Sequence, residues 1–176
     1  PALWDEIAHV KIAELKADPA LLTASVSPND GGKNKFCMCE ACRALDFADA
    51  PKILGDSQLI DPATKQPFAE YPSLSDRTFT FFNEIATRVG HEMPDRDLVA
   101  YAYSVYRSVP VKVKQLQPNL IVGYVGMNLG EIEAWLTQHP DVKECAVLAI
   151  GKAEDQRLAA YVVLRHNEVS ADAPAL

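Results

Sequence analysis

The sequence lacks long hydrophobic runs and clustered basic residues, and each absence excludes a class of protein. No run of about 18 apolar residues occurs, so we expect no membrane-spanning segment and no membrane partner. The closest approach to a basic cluster is Lys112 with Lys114, and the formal net charge is -7. A surface that binds nucleic acid needs clustered cations, so we expect no nucleic acid partner either.

Methionine is absent from the first position, which is Pro1. We therefore expect a chain that is processed or cut from something longer, and the lack of a signal peptide leaves the compartment open. What is present is a globular composition, with 48% hydrophobic and 23% charged residues in a chain of 176. That length suits one domain, or one and a half.

Two amphipathic helices are predicted in the first part of the chain. Residues 3–17 place Leu3, Ile7 and Val10 on one face of a helix. The second helix, about 75–90, follows a Ser-Leu-Ser-Asp sequence that resembles a capping box, and Gly90 and Pro94 are expected to close it. Its apolar stripe consists of Phe79, Phe82, Ala86 and Val89, widened by Phe81 and Ile85.

Apolar runs in the same part predict three strands, at residues 21–27, 98–103 and 120–125. Strands joined by helices form parallel sheets, so the predicted fold class is α/β. A complete (β/α) barrel needs about eight strands, so we predict that residues 1–126 form a partial (β/α)-barrel-like unit. Its open sheet edges should favour self-association.

The composition changes in residues 127–176, which we predict to form a second, smaller αββ unit. A helix is expected over 129–139, where a His-Pro-Asp sequence ends it. Apolar runs at 145–150 and 158–164 predict the two strands that follow.

Three of the four cysteines fall within six residues, as Cys37, Cys39 and Cys42. They lie in a segment of about residues 31–73 that we predict to be a long loop, which in a compact domain is usually functional or disordered. A structural zinc ion takes about four cysteine or histidine ligands, so these thiols would need one more. The candidates for the fourth ligand are Cys145, His9, His91, His139 and His166.

The same pattern leaves two alternatives to zinc open. In an oxidising compartment a disulfide would join Cys42 to Cys37 or to Cys39 and leave the third thiol free. Otherwise all three are unliganded thiols in a loop. A redox site is less favoured, because a reactive Cys-x-x-Cys usually begins a helix that follows a strand. No cofactor other than zinc is expected.

Polar residues follow the predicted strands where a barrel enzyme places its catalytic groups. Glycoside hydrolysis usually requires two carboxylates, and Asp30 supplies one as a catalytic candidate, with Asn29 as a ligand contact. The later strand ends offer Tyr103, Tyr106 and Arg107, which suit stacking on a sugar ring and binding of its carboxylate. The alternative is that Asn-Asp-Gly-Gly is only a favourable turn.

Three motifs occur together in the first part, namely SVSPNDGG (25–32), FCMCEACRALD (36–46) and SDRTFTFFNEIATRV with LVAYAYSVYRSVP (75–110). Over roughly residues 10–125 the chain resembles a domain family of unknown function from secreted bacterial carbohydrate-active proteins, related to the α-glucuronidase type of glycoside hydrolase. The resemblance implies a (β/α) barrel, an oligosaccharide partner, and a secreted or periplasmic location.

A second resemblance is carried by the stretch LGEIEAWLTQHPDVKECAVLAIGKAEDQRLAAYVV (129–163). This stretch is similar to the small C-terminal subdomain of adenylation domains in non-ribosomal peptide synthetases, and it implies a cytoplasmic location. The hinge of that family, with its basic glycine-rich motif, is replaced here by GYVGMN (123–128). The catalytic lysine of that family would fall beyond the last residue.

Two resemblances to unrelated families predict a chimera, whether natural, engineered or generated. Three functions follow as hypotheses. The chain is a glycoside-hydrolase-like, carbohydrate-active fragment that is inactive alone, a fragment of an adenylate-forming synthetase without its lysine, or a metal-stabilised interaction module.

Overall fold

The structure of the protein is a computed structural model that describes residues 2–28, 35–125, 129–139, 141–151 and 157–165. The chain divides into two compact units, Pro1–Val125 and Gly126–Leu176. None of the described helices combines the length and the apolar character that crossing a membrane requires.

In its described residues, the N-terminal unit contains helices, short strands and one 3-10 turn. The helices are α1 (Ala2–Ala17), α2 (Glu40–Arg43) and α3 (Ser75–Glu92), and the 3-10 turn is Ser104–Tyr106. The strands are β1 (Thr23–Ser25), β2 (Lys52–Leu54), β3 (Glu70–Pro72), β4 (Asp97–Ala102) and β5 (Leu120–Tyr124).

Three of these strands form a parallel sheet in the order β1-β4-β5. Thr23 pairs with Asp97, and Leu98 pairs with Leu120, so β4 is the central strand. Each parallel connection needs a crossover, and α3 lies in the one between β1 and β4. The α/β class predicted from the sequence is confirmed, while membership of a larger barrel stays a prediction.

The predicted apolar stripe of α3 forms the centre of the core. Five of its side chains are buried, namely Phe79, Phe82, Ile85, Ala86 and Val89. The rings of Phe79 and Phe82 meet edge to face, with centroids 5.6 Å apart. Burying a side chain of this size contributes about 1.5–3 kcal/mol, so the stripe holds α3 against its neighbours.

The buried face of α1 differs from the predicted one. Ala8, Ile12 and Leu15 are buried, whereas Leu3 and Val10 are exposed. Both sets follow the same i, i+4, i+7 spacing, so periodicity alone does not decide between them. The outcome depends on α3, against which α1 packs.

The predicted capping box of α3 is wrong. Leu74 is the N-cap residue and makes no side-chain cap. The Ser73 hydroxyl instead shares a hydrogen bond with that of Ser75 and lies 3.1 Å from the carbonyl oxygen of Val105. The buried Asp76 carboxylate accepts hydrogen bonds from the backbone N–H groups of residues 111–113 at 2.5–3.3 Å. A buried carboxylate needs such donors, so it ties this later loop to α3.

The C-terminal end of α3 differs from the prediction at Gly90, because the helix passes through this residue and ends at Glu92, shortly before the predicted stop at Pro94. Gly90 is required for a close approach: a Cβ atom there would lie 2.9 Å from the side-chain nitrogen of Asn119. That nitrogen donates a hydrogen bond to the Ala86 carbonyl at 3.0 Å. The glycine therefore admits a neighbouring side chain and does not end the helix.

The segment predicted as a long loop has local structure in its described part. It contains α2 and an antiparallel pair formed by β2 and β3, in which Ile53 is opposite Tyr71. The sequence pattern missed these elements because each strand has only three residues.

The C-terminal unit has the predicted order of one helix and two strands. These are α4 (Leu129–Leu136), β6 (Val142–Ile150) and β7 (Arg157–Leu164), and the two strands are antiparallel. The Glu133 side chain accepts a hydrogen bond from the backbone N–H of Val147 at 2.7 Å. This contact fixes α4 on β6.

Candidate functional site

The three neighbouring cysteines come together in space and are named here the thiol cluster. The Sγ atoms of Cys37, Cys39 and Cys42 all lie within 4.8 Å of one another, and all three are free thiols. Two sulfur ligands of one tetrahedral zinc ion lie about 3.8 Å apart, because each Zn–S bond is about 2.3 Å long. The thiol cluster therefore needs movements of about 1 Å or less to hold a metal ion.

The start of α2 positions two of the three sulfur atoms. Cys39 is the N-cap residue, and its carbonyl accepts a hydrogen bond from the Arg43 N–H at 3.0 Å. Cys42 lies on the turn that follows, so the side chains of Cys39 and Cys42 face each other. The cluster therefore has the helix start that reactive Cys-x-x-Cys sites use. Among the described residues no strand leads directly into it, since β1 ends at Ser25, so a redox site stays the less favoured prediction.

The electrostatic environments of these two thiols differ. The backbone N–H of Cys42 donates to the Cys39 sulfur and lowers the pKa of the Cys39 thiol, and hydrogen bonds with the Cys37 and Cys42 thiols lower this pKa further. Burial, followed by the influence of the neighbouring thiols, raises the pKa of the Cys42 thiol to about 11. Of these two thiols, Cys39 therefore ionises more readily.

Arg77 on α3 anchors the segment that carries the thiol cluster. Its guanidinium donates to the Cys37 carbonyl at 2.7 Å and to both carboxylate oxygens of Asp46, at 2.8 and 2.5 Å. The Tyr71 hydroxyl donates to the same carboxylate at 2.8 Å. The side chains of Arg77 and Asp46 are only 11% and 4% exposed, so this two-point ion pair is almost dry.

The carboxyl ends of the parallel strands form the second candidate region. After β4 the chain turns through Ser104, whose φ of 50° lies in the left-handed region that residues other than glycine rarely adopt. Tyr103 precedes this turn and is 39% exposed. Tyr106 is buried within the turn, and Arg107 follows it half-buried. We call this region the carboxyl edge.

The cysteine segment packs against the carboxyl edge. The ring of Phe36, which precedes Cys37, meets the ring of Tyr106 edge to face, with centroids 5.9 Å apart. The side-chain amide of Gln58 donates to the Ser104 hydroxyl at 2.8 Å. The structure thus connects two sets of residues that the sequence treats as separate sites.

The remaining predicted site residues are placed as follows. Asn29 and Asp30 lie outside the described residues, so their roles stay predictions. Within the described part of the N-terminal unit, neither His9 nor His91 joins the thiol cluster. Cys145 is half-buried on β6 of the C-terminal unit. That unit also contains His139, while His166 is outside the described residues.

Sequence reasoning missed Asp46 and Arg77. Asp46 ends the FCMCEACRALD motif, and a carboxylate at that position is the signal that would have identified it. Arg77 carries no comparable signal, because its role depends on a contact across 31 residues of chain.

Comparison with known families confirms both resemblances. The model of DUF4838, a domain of unknown function, matches residues 3–144. The model of the AMP-binding enzyme C-terminal domain matches residues 131–175. The two matches overlap over residues 131–144, at the start of the C-terminal unit.

Two curated relatives come from Mortierella alpina. Malpibaldin synthetase is 55% identical over 42 residues, which is 24% of this chain, and malpinin synthetase is 36% identical over 90 residues, which is 44%. The chain spans about 1% of the length of each relative. No solved structure matches the chain. Because the first family model covers most of the sequence, the chain belongs to the DUF4838 family of domains of unknown function.

Proposed function

We propose that the N-terminal unit binds an acidic carbohydrate at the carboxyl edge and does not hydrolyse it. The observation that carries the proposal is the turn after the central strand β4. An exposed tyrosine, Tyr103, precedes this turn, and Arg107 follows it. Ligands of α/β folds bind outside the carboxyl ends of parallel strands, so both residues lie where a ligand is expected.

The chemistry of these side chains suits a uronic acid. A tyrosine ring presents a rigid apolar face on which the C–H face of a sugar ring can stack. A guanidinium matches the two oxygens of a carboxylate. The resemblance of roughly residues 10–125 to a domain family related to the α-glucuronidase type of glycoside hydrolase supports the same class of ligand.

Hydrolysis is not proposed, because the described edge lacks a suitable pair of carboxylates. Glycoside hydrolysis usually uses two carboxyl groups about 5–10 Å apart. No aspartate or glutamate occurs between Ala102 and Val125, which covers the segment after β4 and all of β5. Asp30, after β1, is the carboxylate that the proposal retains as a ligand contact.

The test is calorimetric titration of the chain with oligosaccharides of glucuronic acid and with neutral oligosaccharides of the same length. We expect the acidic series to bind more tightly. Arg107→Gln should weaken acidic binding about tenfold or more, since a charge-assisted hydrogen bond contributes about 1.5–3 kcal/mol. Tyr103→Ala should weaken binding of both series about twofold to tenfold, since aromatic contacts contribute about 0.5–1.5 kcal/mol.

Two matched controls separate a site from a general surface effect. Lys114→Gln removes an exposed positive charge from the same unit, and Tyr161→Ala removes an exposed tyrosine from β7. Neither should change the affinity. A reduced affinity of Asp30→Ala would support its contact with the ligand. Absence of binding, or equal losses in Arg107→Gln and Lys114→Gln, would contradict the proposal.

We propose a separate origin for the C-terminal unit, as a piece of an adenylate-forming synthetase. The match to the AMP-binding enzyme C-terminal domain and the 55% identity to malpibaldin synthetase support this. Adenylation also needs the large subdomain of such enzymes, so we expect no amino-acid-dependent ATP–pyrophosphate exchange by this chain. Exchange above that of a heat-denatured sample would show that the chain has adenylation chemistry of its own.

A further inference from the structure

We propose that the thiol cluster is a zinc site with three thiolate ligands and a fourth coordination position open to solvent or to an external ligand. The proposal does not rest on carbohydrate binding. It concerns a different set of side chains, and its test measures metal directly.

The ligand set is the first argument. Three sulfur atoms within 4.8 Å of one another offer soft donors, and the described residues add no carboxylate to the group. Such a set favours zinc over calcium, magnesium or manganese, which prefer oxygen ligands. The cluster uses Cys37, Cys39 and Cys42, which come from one short segment, so its geometry depends little on the rest of the chain.

Groups around the three cysteines also hold the ligands in position. The backbone N–H of Arg43 donates to the Cys39 carbonyl at 3.0 Å and fixes the backbone of the second ligand. Arg77 donates to the Cys37 carbonyl and fixes the backbone of the first ligand. Groups of this kind orient metal ligands and commonly tune their affinity tenfold or more. They are in place before any metal binds.

The open fourth position follows from exposure. Cys37 and Cys39 are exposed and Cys42 is half-buried, so one side of the cluster faces solvent. Within the described part of the N-terminal unit, no histidine or further cysteine joins the three thiols. Zinc sites with three protein ligands keep water or another small ligand in the fourth position.

The location gives this site a consequence for its neighbours. Phe36 directly precedes the first ligand and packs on Tyr106 at the carboxyl edge. Zinc would fix the segment that carries Phe36, whereas the metal-free segment is held by the ion pair between Arg77 and Asp46 and by local contacts.

The experiment uses the full chain, purified under reducing conditions and freed of metal by a chelator. We expect it to take up about one zinc ion per chain after dialysis. Cobalt(II) in place of zinc should give intense sulfur-to-cobalt absorption and the visible bands of a tetrahedral site. Added imidazole should shift those visible bands, because it enters the open position.

Single variants assign the ligands. Cys37→Ser, Cys39→Ser and Cys42→Ser should each lose most of the bound zinc and the cobalt absorption. The matched control is Cys145→Ser, which removes the fourth cysteine of the chain and should retain about one zinc ion. Circular dichroism of each variant shows whether the loss of metal accompanies a loss of fold.

Four outcomes would overturn the proposal. They are reduced protein that takes up no zinc, equal zinc loss in Cys145→Ser, cobalt bands that imidazole leaves unchanged, and one zinc ion shared by two chains. The third outcome would indicate a closed site, and the fourth a bridging site.

Discussion

The carboxylate of Asp46 joins parts of the chain that are far apart in sequence. It accepts hydrogen bonds from Arg77 on α3 and from Tyr71 on β3, and it follows α2 by three residues. A charge this deeply buried is stable only with its partners present. The Asp46 carboxylate therefore helps to hold the segment of the thiol cluster against α3 and β3.

Asp46→Asn should lower the free energy of unfolding by about 3–5 kcal/mol, because it leaves the Arg77 guanidinium buried without a charged partner. The control is Asp95→Asn, which breaks an ion pair with Arg96 in which the aspartate is 71% exposed. That change should cost about 0–1 kcal/mol. Urea unfolding of the reduced proteins measures both values. Similar losses in the two variants would show that burial does not strengthen the Asp46 pair.

We expect the ionisation of the Tyr71 hydroxyl to destabilise the protein at alkaline pH. Burial raises the pKa of its hydroxyl above 10.0, and the negative charge of Asp46 raises this pKa further. The folded protein therefore favours the neutral phenol. The contribution of this raised pKa to the free energy of unfolding is complete below about pH 10. It declines as the pH rises through the pKa of Tyr71 in the folded protein.

The measurement compares wild-type protein with Tyr71→Phe at pH 8 and above pH 10. The stability advantage of the wild-type protein over the variant should shrink at the higher pH, because only the tyrosine can ionise. An advantage that stays constant across this range would mean that the Tyr71 hydroxyl titrates normally in the folded protein.

Helix α1 offers a direct test of which apolar stripe faces the core. Leu15 is 1% exposed and Leu3 is 63% exposed, although the sequence placed Leu3 on the buried face. Leu15→Ala should destabilise the protein by about 2–5 kcal/mol, and Leu3→Ala by about 0.5 kcal/mol or less. Chemical unfolding of the two variants measures the difference. A larger loss in Leu3→Ala would restore the face predicted from the sequence.

The regular elements were predictable where the periodic pattern was long. Helix α3 has 18 residues, and its stripe from Phe79 to Val89 was predicted correctly. The failures have two causes, which are dependence on distant contacts and the short length of some elements. The capping box failed because Asp76 binds backbone groups more than 30 residues later. Strands β2 and β3 are too short for a pattern to appear.

The candidate sites were predictable only where their contacts lie close together in the sequence. The thiol cluster is local, so the spacing of Cys37, Cys39 and Cys42 was sufficient to predict their proximity, now found within 4.8 Å. The contact between Phe36 and Tyr106 joins residues 70 positions apart in the sequence. No pattern in a single sequence records such a pairing.

The two units differ from the two family matches in their boundaries. The compact units meet between Val125 and Gly126, whereas the DUF4838 match continues to residue 144. Residues 131–144 therefore fit both family patterns and include most of α4 and the start of β6. We propose that the boundary between the two domains lies between residues 126 and 127, before α4.

The described part of the parallel sheet predicts association between copies of the chain. Strand β5 lies at one end of the sheet, and Ile121 on this strand is 49% exposed. An unpaired strand edge can pair with another chain, and a lysine on such a strand opposes the pairing. Sedimentation velocity of the wild-type protein should therefore show association that increases with concentration, and Ile121→Lys should reduce it. Leu148→Lys, on β6 of the other unit, introduces the same charge at a leucine that is 52% exposed and should leave the association unchanged. If Leu148→Lys alone abolished the association, the copies would instead meet through the C-terminal unit, and the edge of β5 would not be the contact between them.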